Sequence, residues 1–431
     1  MKNMQEELFM LKNLKKLSLL FAALVVFTTA ACNFGTPTSE AQSASDTPTI
    51  DSPTSETPAV DYTKLPYYID PETAEYGDFS GEKLYTPFWQ GNVIYNETVM
   101  LVDDGETLQG KLQFEPVKIL SVRDHTWKTE YAEGKDYVVN GNVLTLGTES
   151  SLPYLMSANL NGEDLPEPYR LVGSIANIET DVVRMGATIY TEGSLIYGHQ
   201  ISVSYVYDPA DIGYEIPTFS APKTLAKLKA GEPVTIAATG DSVMQGCSSS
   251  GFYNRDPYMK TFIEQVKEGL ENEYDSEITL SNQALGGMTS TWGAADAQLD
   301  KLIAAKPDIL FVHFGINDAG GNTSKNMYGD NLECIVVKIH DELPDCEIVL
   351  MKAFTPHPMV YDEELFGKYW DKIDEICAEN ENTTSLDLFT PSKEMLKVKK
   401  YMDVTGNGIN HLNDFSVRLY AMYILNSLIE Y

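Results

Sequence analysis

Cysteine is scarce in this chain, with five in 431 residues: Cys32, Cys247, Cys334, Cys346 and Cys377. Their spacing matches no zinc knuckle, and no His/Cys/carboxylate run has metal-ligand form, so neither a metal nor a cofactor is expected. The last four allow one disulfide or simply buried thiols, and spacing picks no pair. Positive charge is the second deficit. Lys and Arg number 31 against 63 Asp and Glu, a net of −32. Such a surface repels polyanions, which excludes nucleic acid as a partner and disfavours anionic substrates. Beyond the N-terminus there is no long apolar run, hence no candidate membrane span. A phosphate-binding Gly-rich loop is missing, and so is the Gly-x-Ser-x-Gly of an α/β-hydrolase elbow. What is present is core-forming material, 43% hydrophobic, in a length that suits two domains.

The N-terminus has the form of an export signal. Lys12, Lys15 and Lys16 precede the apolar run 17–27, and Thr29-Ala30-Ala31 leads into Cys32. A Cys directly after small residues resembles a bacterial lipobox, with Thr29 in place of the usual Leu. That resemblance implies cleavage after residue 31, lipidation of Cys32, and a protein anchored by lipid alone on the extracytoplasmic face of the cell membrane. Residues 32–62 are Ser/Thr/Pro-rich and offer little to bury, which reads as a tether.

Residues 63–212 carry short alternating runs separated by turn residues. Strands are expected at 93–95, 98–102, 118–122, 137–139, 143–146, 187–190 and 201–207, with a hairpin at Asn140-Gly141. Many short strands with regular turns predict a β-sandwich, jelly-roll-like. Pro209, Pro217 and Pro222 mark a boundary. Over 223–431 strands alternate with helices. Strands are expected at 234–238, 277–281, 308–314, 347–351 and 384–388. Helices are expected at 259–273, 294–305, 331–342 and 364–379, with an amphipathic one at 415–430. That alternation predicts an α/β domain with a doubly wound parallel sheet.

In such sheets functional groups gather beyond the C-terminal strand ends. Three motifs fall there: Gly240-Asp241-Ser242-Val243 after the first strand, Asn282-Gln283-Ala284-Leu285-Gly286-Gly287 after the second, Gly315-Ile316-Asn317-Asp318 after the third. His411, in Asn410-His411-Leu412-Asn413-Asp414, precedes the last helix. A serine, a histidine and convergent amide donors are the equipment of acyl transfer.

On these four blocks residues 230–431 resemble the SGNH (GDSL-type) hydrolase family. The resemblance implies Ser242 as nucleophile and His411 as general base. It also implies an oxyanion hole made by the backbone N–H groups of Ser242 and Gly287 and the side-chain amide of Asn317. The family usually places Asp three residues before its histidine; here that position is Gly408. Asp403, Asp414 or a backbone carbonyl is left to orient His411, with a Ser–His dyad or Asp403 preferred. A β-sandwich ahead of such a domain resembles some acetylxylan-type carbohydrate esterases, which makes an acylated carbohydrate or other small ester the expected substrate. The rival readings are a lipid or aryl ester hydrolase of the same superfamily and a non-catalytic glycan-binding lipoprotein. Of the other candidates, His313 reads as a core residue, His357 as a loop residue and Cys247 as packing. Trp292 is read equally as sugar-stacking wall or core. Nothing joins His125 to His199.

Overall fold

The computed structural model describes residues 60–79 and 82–431. The expected export signal, Cys32 and most of the expected tether lie outside the described residues. The N-terminal part is β-rich. Its main sheet has seven strands, centred on the long strand Val93–Asp103. This strand pairs antiparallel with Gln200–Tyr207 through residues 93–100, then with Leu108–Lys111 through 102–103. Tyr137–Asn140 and Val143–Leu146 form the hairpin that Asn140-Gly141 signals, Asn140 opposite Val143. A smaller sheet joins Arg170–Leu171, Asp181–Met185 and Thr188–Tyr190.

Strand Gln200–Tyr207 departs from the expected pattern. Its alternation of Ile201, Val203, Tyr205 with Ser202, Ser204 implies one wet face, yet every residue in it is buried. The polar face is covered and hydrogen-bonded. Ser202 Oγ accepts from Trp127 Nε1, Ser204 Oγ accepts from the Asn96 N–H, and Gln200 Nε2 donates to the carbonyls of Met402 and Thr405. A buried polar face is tolerable only when so satisfied.

The C-terminal part is a five-stranded parallel sheet with β1 (Val234–Gly240), β2 (Ile278–Asn282), β3 (Ile309–His313), β4 (Glu347–Lys352) and β5 (Thr383–Asp387) in the order 2-1-3-4-5. The connections diverge between β1 and β3, which is where such folds open a crevice. Helix α1 (Phe262–Glu273), started by a Thr261/Glu264 capping box, packs against the last helix, α5 (Asp414–Leu428). On the other side lie α2 (Asp296–Ala305), α3 (Lys325–Glu342) and α4 (Glu363–Glu379), α3 in contact with both neighbours. Helix α3 begins earlier than apolar spacing predicts, because the Ser324 side chain caps it by accepting from Met327 N–H.

Helix α5 is not amphipathic. Residues 415–425 are all buried, because α5 is wedged between α1 and the β-rich part. Trp89 stacks on Tyr423 at 4.6 Å and its Nε1 donates to Asn426 Oδ1. Arg418, fully buried, donates to the Tyr95 carbonyl. One apolar core runs through both parts, from Tyr85 to Leu428. Lys399 reaches across to form an ion pair with Glu97, both side chains at 0% exposure. The four described cysteines are free thiols. No helix among the described residues is long and apolar enough to cross a membrane.

Candidate active site

Strand β1 ends at Gly240, and the chain turns at once into the short helix Ser242–Gln245. Asp241 makes that turn. Its Oδ1 accepts from Val243 N–H at 2.9 Å, its own N–H donates to the His313 carbonyl, and the His313 ring lies behind it at 3.3 Å. His313 is therefore packing behind the nucleophile turn, in a fully buried strand. Ser242 stands just past the C-terminal end of β1 with only 4% exposure.

The 282–288 loop lies alongside. Leu285 N–H donates to the Gly240 carbonyl, Asn282 Nδ2 to the Met244 carbonyl, and Gly286 N–H to Gln245 Oε1. Gly287 adopts φ +80°, a conformation glycine takes without steric penalty. Asn317 follows β3, and its Nδ2 donates to the Met288 carbonyl at 3.0 Å. Asp318 fixes the other end of this loop by accepting from Ser290 N–H and Oγ. Ser242, Gly287 and Asn317 thus stand on three hydrogen-bonded segments at one rim.

His411 completes the set. Its Nε2 is 2.8 Å from Ser242 Oγ. Asn407 Oδ1 accepts from the N–H groups of Ile409, Asn410 and His411 and so folds the loop that carries the imidazole. His357 supports this loop from below: its N–H donates to the Ile409 carbonyl and its ring packs on Tyr401 at 4.4 Å. Trp292 packs on Phe314 and is half-buried. His125 lines a crevice between the two parts with Trp127, Tyr197 and Arg255, while His199 Nδ1 contacts the Leu195 carbonyl. Cys247 is buried and its thiol stays protonated, burial raising its pKa strongly.

Neither expected orienting acid is at the imidazole. Asp403 Oδ1 accepts from Met100 N–H and its Oδ2 from Lys400 N–H, both at 2.7 Å, so its carboxylate is committed to strand Val93–Asp103 and to the start of its own short helix. Asp414 Oδ1 accepts from Ser250 N–H. The group at His411 is Glu192, from the β-rich part, whose Oε1 stands 2.7 Å from His411 Nδ1 in a bent approach. Sequence reasoning missed it because nothing local marks Glu192; it is 219 positions from His411 in the chain. The available signal was Gly408, at the place where an acid was expected. Gly408 has φ +84°, and a Cβ on it would stand 2.9 Å from the Ile189 carbonyl oxygen. The strand leading to Glu192 occupies that space.

Glu192 is 7% exposed. Burial, the largest single influence, raises its pKa. The charge on His411 and hydrogen bonds, among them those from Tyr190 and Tyr253, outweigh burial and bring it down to about 2. The two phenols are themselves pushed far above their usual range, mainly by burial, and so remain donors.

Residues 238–415 match the model of the GDSL-like Lipase/Acylhydrolase family. The chain carries a GDSL-like lipase/acylhydrolase domain, the SGNH type of ester hydrolase. Two solved structures are similar to this chain over about half its length. One is a two-domain esterase active on acetylated mannans, at 23% identity over 47% of this chain and TM-score 0.39; the match spans only 52% of that esterase. The other is an acetylxylan esterase from Geobacillus stearothermophilus, at 19% identity over 47% of this chain and 97% of that one, TM-score 0.39. A search of curated proteins found no match. The β-rich part, which holds Glu192, lies ahead of the matched residues of the GDSL-like domain.

Proposed function

We propose that the chain is a serine esterase that removes O-acyl groups, specifically O-acetyl groups, from neutral carbohydrate. The observation that carries the reading is the 2.8 Å contact between Ser242 Oγ and His411 Nε2. Serine is a poor nucleophile unless a base takes its proton as it attacks. Ser242 Oγ bonds to the ester carbonyl carbon, its proton passes to His411 Nε2, and the carbonyl electron pair moves onto oxygen. The backbone N–H groups of Ser242 and Gly287 and the Asn317 amide, whose Nδ2 carries two N–H donors, receive that oxyanion. Collapse breaks the bond to the leaving alcohol, which takes the proton from Nε2. Water then repeats the sequence on the acyl-serine and restores Ser242. One lost oxyanion donor costs about 2.7–4 kcal/mol of transition-state stabilisation.

A nucleophile 4% exposed favours a small acyl group over a long chain, and the net charge of −32 favours a neutral alcohol. We further read the N-terminal part as a β-sandwich, since strand Val93–Asp103 changes partners along its length, as strands at sandwich corners do. The same proposal places the enzyme outside the cell, lipid-anchored at Cys32 by the export signal and small-residue cleavage site. The test is acetate release from acetylated xylan and from a short p-nitrophenyl ester, with Ser242→Ala alongside. Release lost in the variant supports a serine esterase, and the ratio of the two activities separates a carbohydrate esterase from a general one. Equal release by Ser242→Ala would sink the proposal.

A further inference from the structure

We infer that Glu192, delivered by the N-terminal β-rich part, is the carboxylate that positions His411, so that the two parts of the chain form one catalytic unit. The inference rests on the esterase reading of Ser242 and His411 and adds a residue that acts through the imidazole.

The geometry gives each imidazole nitrogen one partner. Nε2 faces Ser242 Oγ at 2.8 Å and Nδ1 faces Glu192 Oε1 at 2.7 Å. An anion on the Nδ1 side keeps the proton there and leaves Nε2 bare to accept from serine. It also stabilises the imidazolium that forms when serine gives up its proton. The two atoms are within hydrogen-bond distance although the approach is bent, and catalytic contacts of this kind commonly tighten when substrate binds.

The surroundings of Glu192 are built to hold an anion without neutralising it. Tyr190 OH and Asn407 Nδ2 donate to Oε1, at 2.8 and 3.3 Å; Ser248 Oγ and Tyr253 OH donate to Oε2, at 3.0 and 2.8 Å. All four are neutral, and so is the nearby Cys247 thiol. The nearest guanidinium, Arg255, is spent elsewhere: Nη1 donates to the backbone carbonyl of Glu192 and Nη2 to Glu179. The cationic partner within contact of the carboxylate is His411 itself. A buried carboxylate kept charged by neutral donors is worth most when a positive charge appears beside it, and here that happens during proton transfer.

The His411 loop is gripped by the same part of the chain. Gln200 Nε2 donates to the carbonyls of Met402 and Thr405, Met100 N–H to Asp403, and Thr191 N–H to the Asn407 carbonyl. Asn407 joins the two devices, since it folds the loop with Oδ1 and touches Glu192 with Nδ2. Gly408 completes the fit by leaving room for strand Thr188–Tyr190. The acid and the base are therefore registered to each other through the interface.

The test is steady-state kinetics on a short p-nitrophenyl ester across pH, with wild type, Glu192→Gln, Glu192→Asp and Ser242→Ala. Glu192→Gln keeps the side chain's shape but puts an amide beside Nδ1. We expect kcat to fall by on the order of 10³–10⁴, with KM within about threefold, and the acid limb of kcat/KM to move to lower pH because the imidazolium loses its anion. Glu192→Asp keeps the charge; it should hold the acid limb in place and recover at least about tenfold over the Gln variant. A purely structural role would not move the acid limb. Wild-type kcat and an unchanged limb in Glu192→Gln would overturn the inference. If the Gln variant shows no cooperative unfolding, Glu192→Asp decides: a fall in kcat at constant KM supports the inference and wild-type kcat overturns it. Activity surviving in Ser242→Ala would instead mean that the esterase reading had failed, a distinct outcome.

Discussion

Replacing Gly408 by Ala should damage stability and catalysis together. Gly408 sits at φ +84°, and a Cβ there would lie 2.9 Å from the Ile189 carbonyl oxygen, with Met402 Sδ and Cε at 3.4 Å. Holding an L-residue in the left-handed region costs about 1–2 kcal/mol. Forcing one methyl into a packed contact costs about 1–3 kcal/mol more, because the obstacle is backbone and cannot rotate away. The loss of stability should therefore be about 2–5 kcal/mol, read as the shift in urea midpoint multiplied by the unfolding slope. Ile189 is three residues from Glu192 in the same segment. Displacing it lengthens the 2.7 Å contact to His411, and kcat should drop at least about tenfold. Gly134→Ala is the control: φ is +78° there, but nothing lies within 4 Å of the new Cβ. It should cost only the left-handed term and leave kcat alone. If Gly408→Ala behaved like Gly134→Ala in both assays, the packing argument would be wrong. Gly408→Asp should be worse than Ala and should not rescue Glu192→Gln, although it restores the residue type expected at that place.

Three further outcomes follow from the same contacts. Asp403→Ala leaves Met100 N–H without its acceptor and should cost about 1–3 kcal/mol of stability, while the acid limb of the pH–rate profile stays where it is. Lys399→Met strands the buried carboxylate of Glu97 and should cost about 3–5 kcal/mol; adding Glu97→Gln should return part of it, as a double-mutant cycle in urea would report. Asp414 differs in sign from Glu192. Burial, only partly offset by Ser250 and Arg418, lifts its pKa from 3.8 to about 6. The folded chain then binds more protons than the unfolded one between those values, so stability should fall as pH rises from about 4 to about 6. Asp414→Asn should remove that fall, on the order of 3 kcal/mol, whereas the contribution of Glu192 is lost at lower pH, as pH falls from 4.5 toward about 2.

The strand–helix alternation after residue 223 was legible because each buried strand is a short apolar run and each helix shows one apolar face. Ser242, Gly287, Asn317 and His411 were legible because each sits in a short motif just past a strand end or, for His411, just ahead of the last helix. Two features of the fold were not. Helix α5 lacks a polar face since it is covered on both sides, and local periodicity cannot tell a helix buried on one side from one buried on both. The polar side of strand Gln200–Tyr207 reads as solvent-facing for the same reason: alternation reports polarity, and Gln200, Ser202 and Ser204 are polar but buried against partners distant in sequence.

Glu192 shows what kind of information local reading cannot hold. An orienting acid needs only a position relative to the imidazole, and any segment that the fold brings there can supply it. In this chain the segment comes from the β-rich part, and supplying it imposes further requirements. The strand must approach the His411 loop closely, which demands Gly408. The carboxylate must stay charged when buried, which demands Tyr190, Tyr253, Ser248 and Asn407. The two parts must not slide, which calls for the shared core and the Lys399–Glu97 pair. Each of these residues is unremarkable alone. Taken together they explain why a polar, hydrogen-bonded interface is buried between two parts of the chain that could otherwise have been joined by a simple linker.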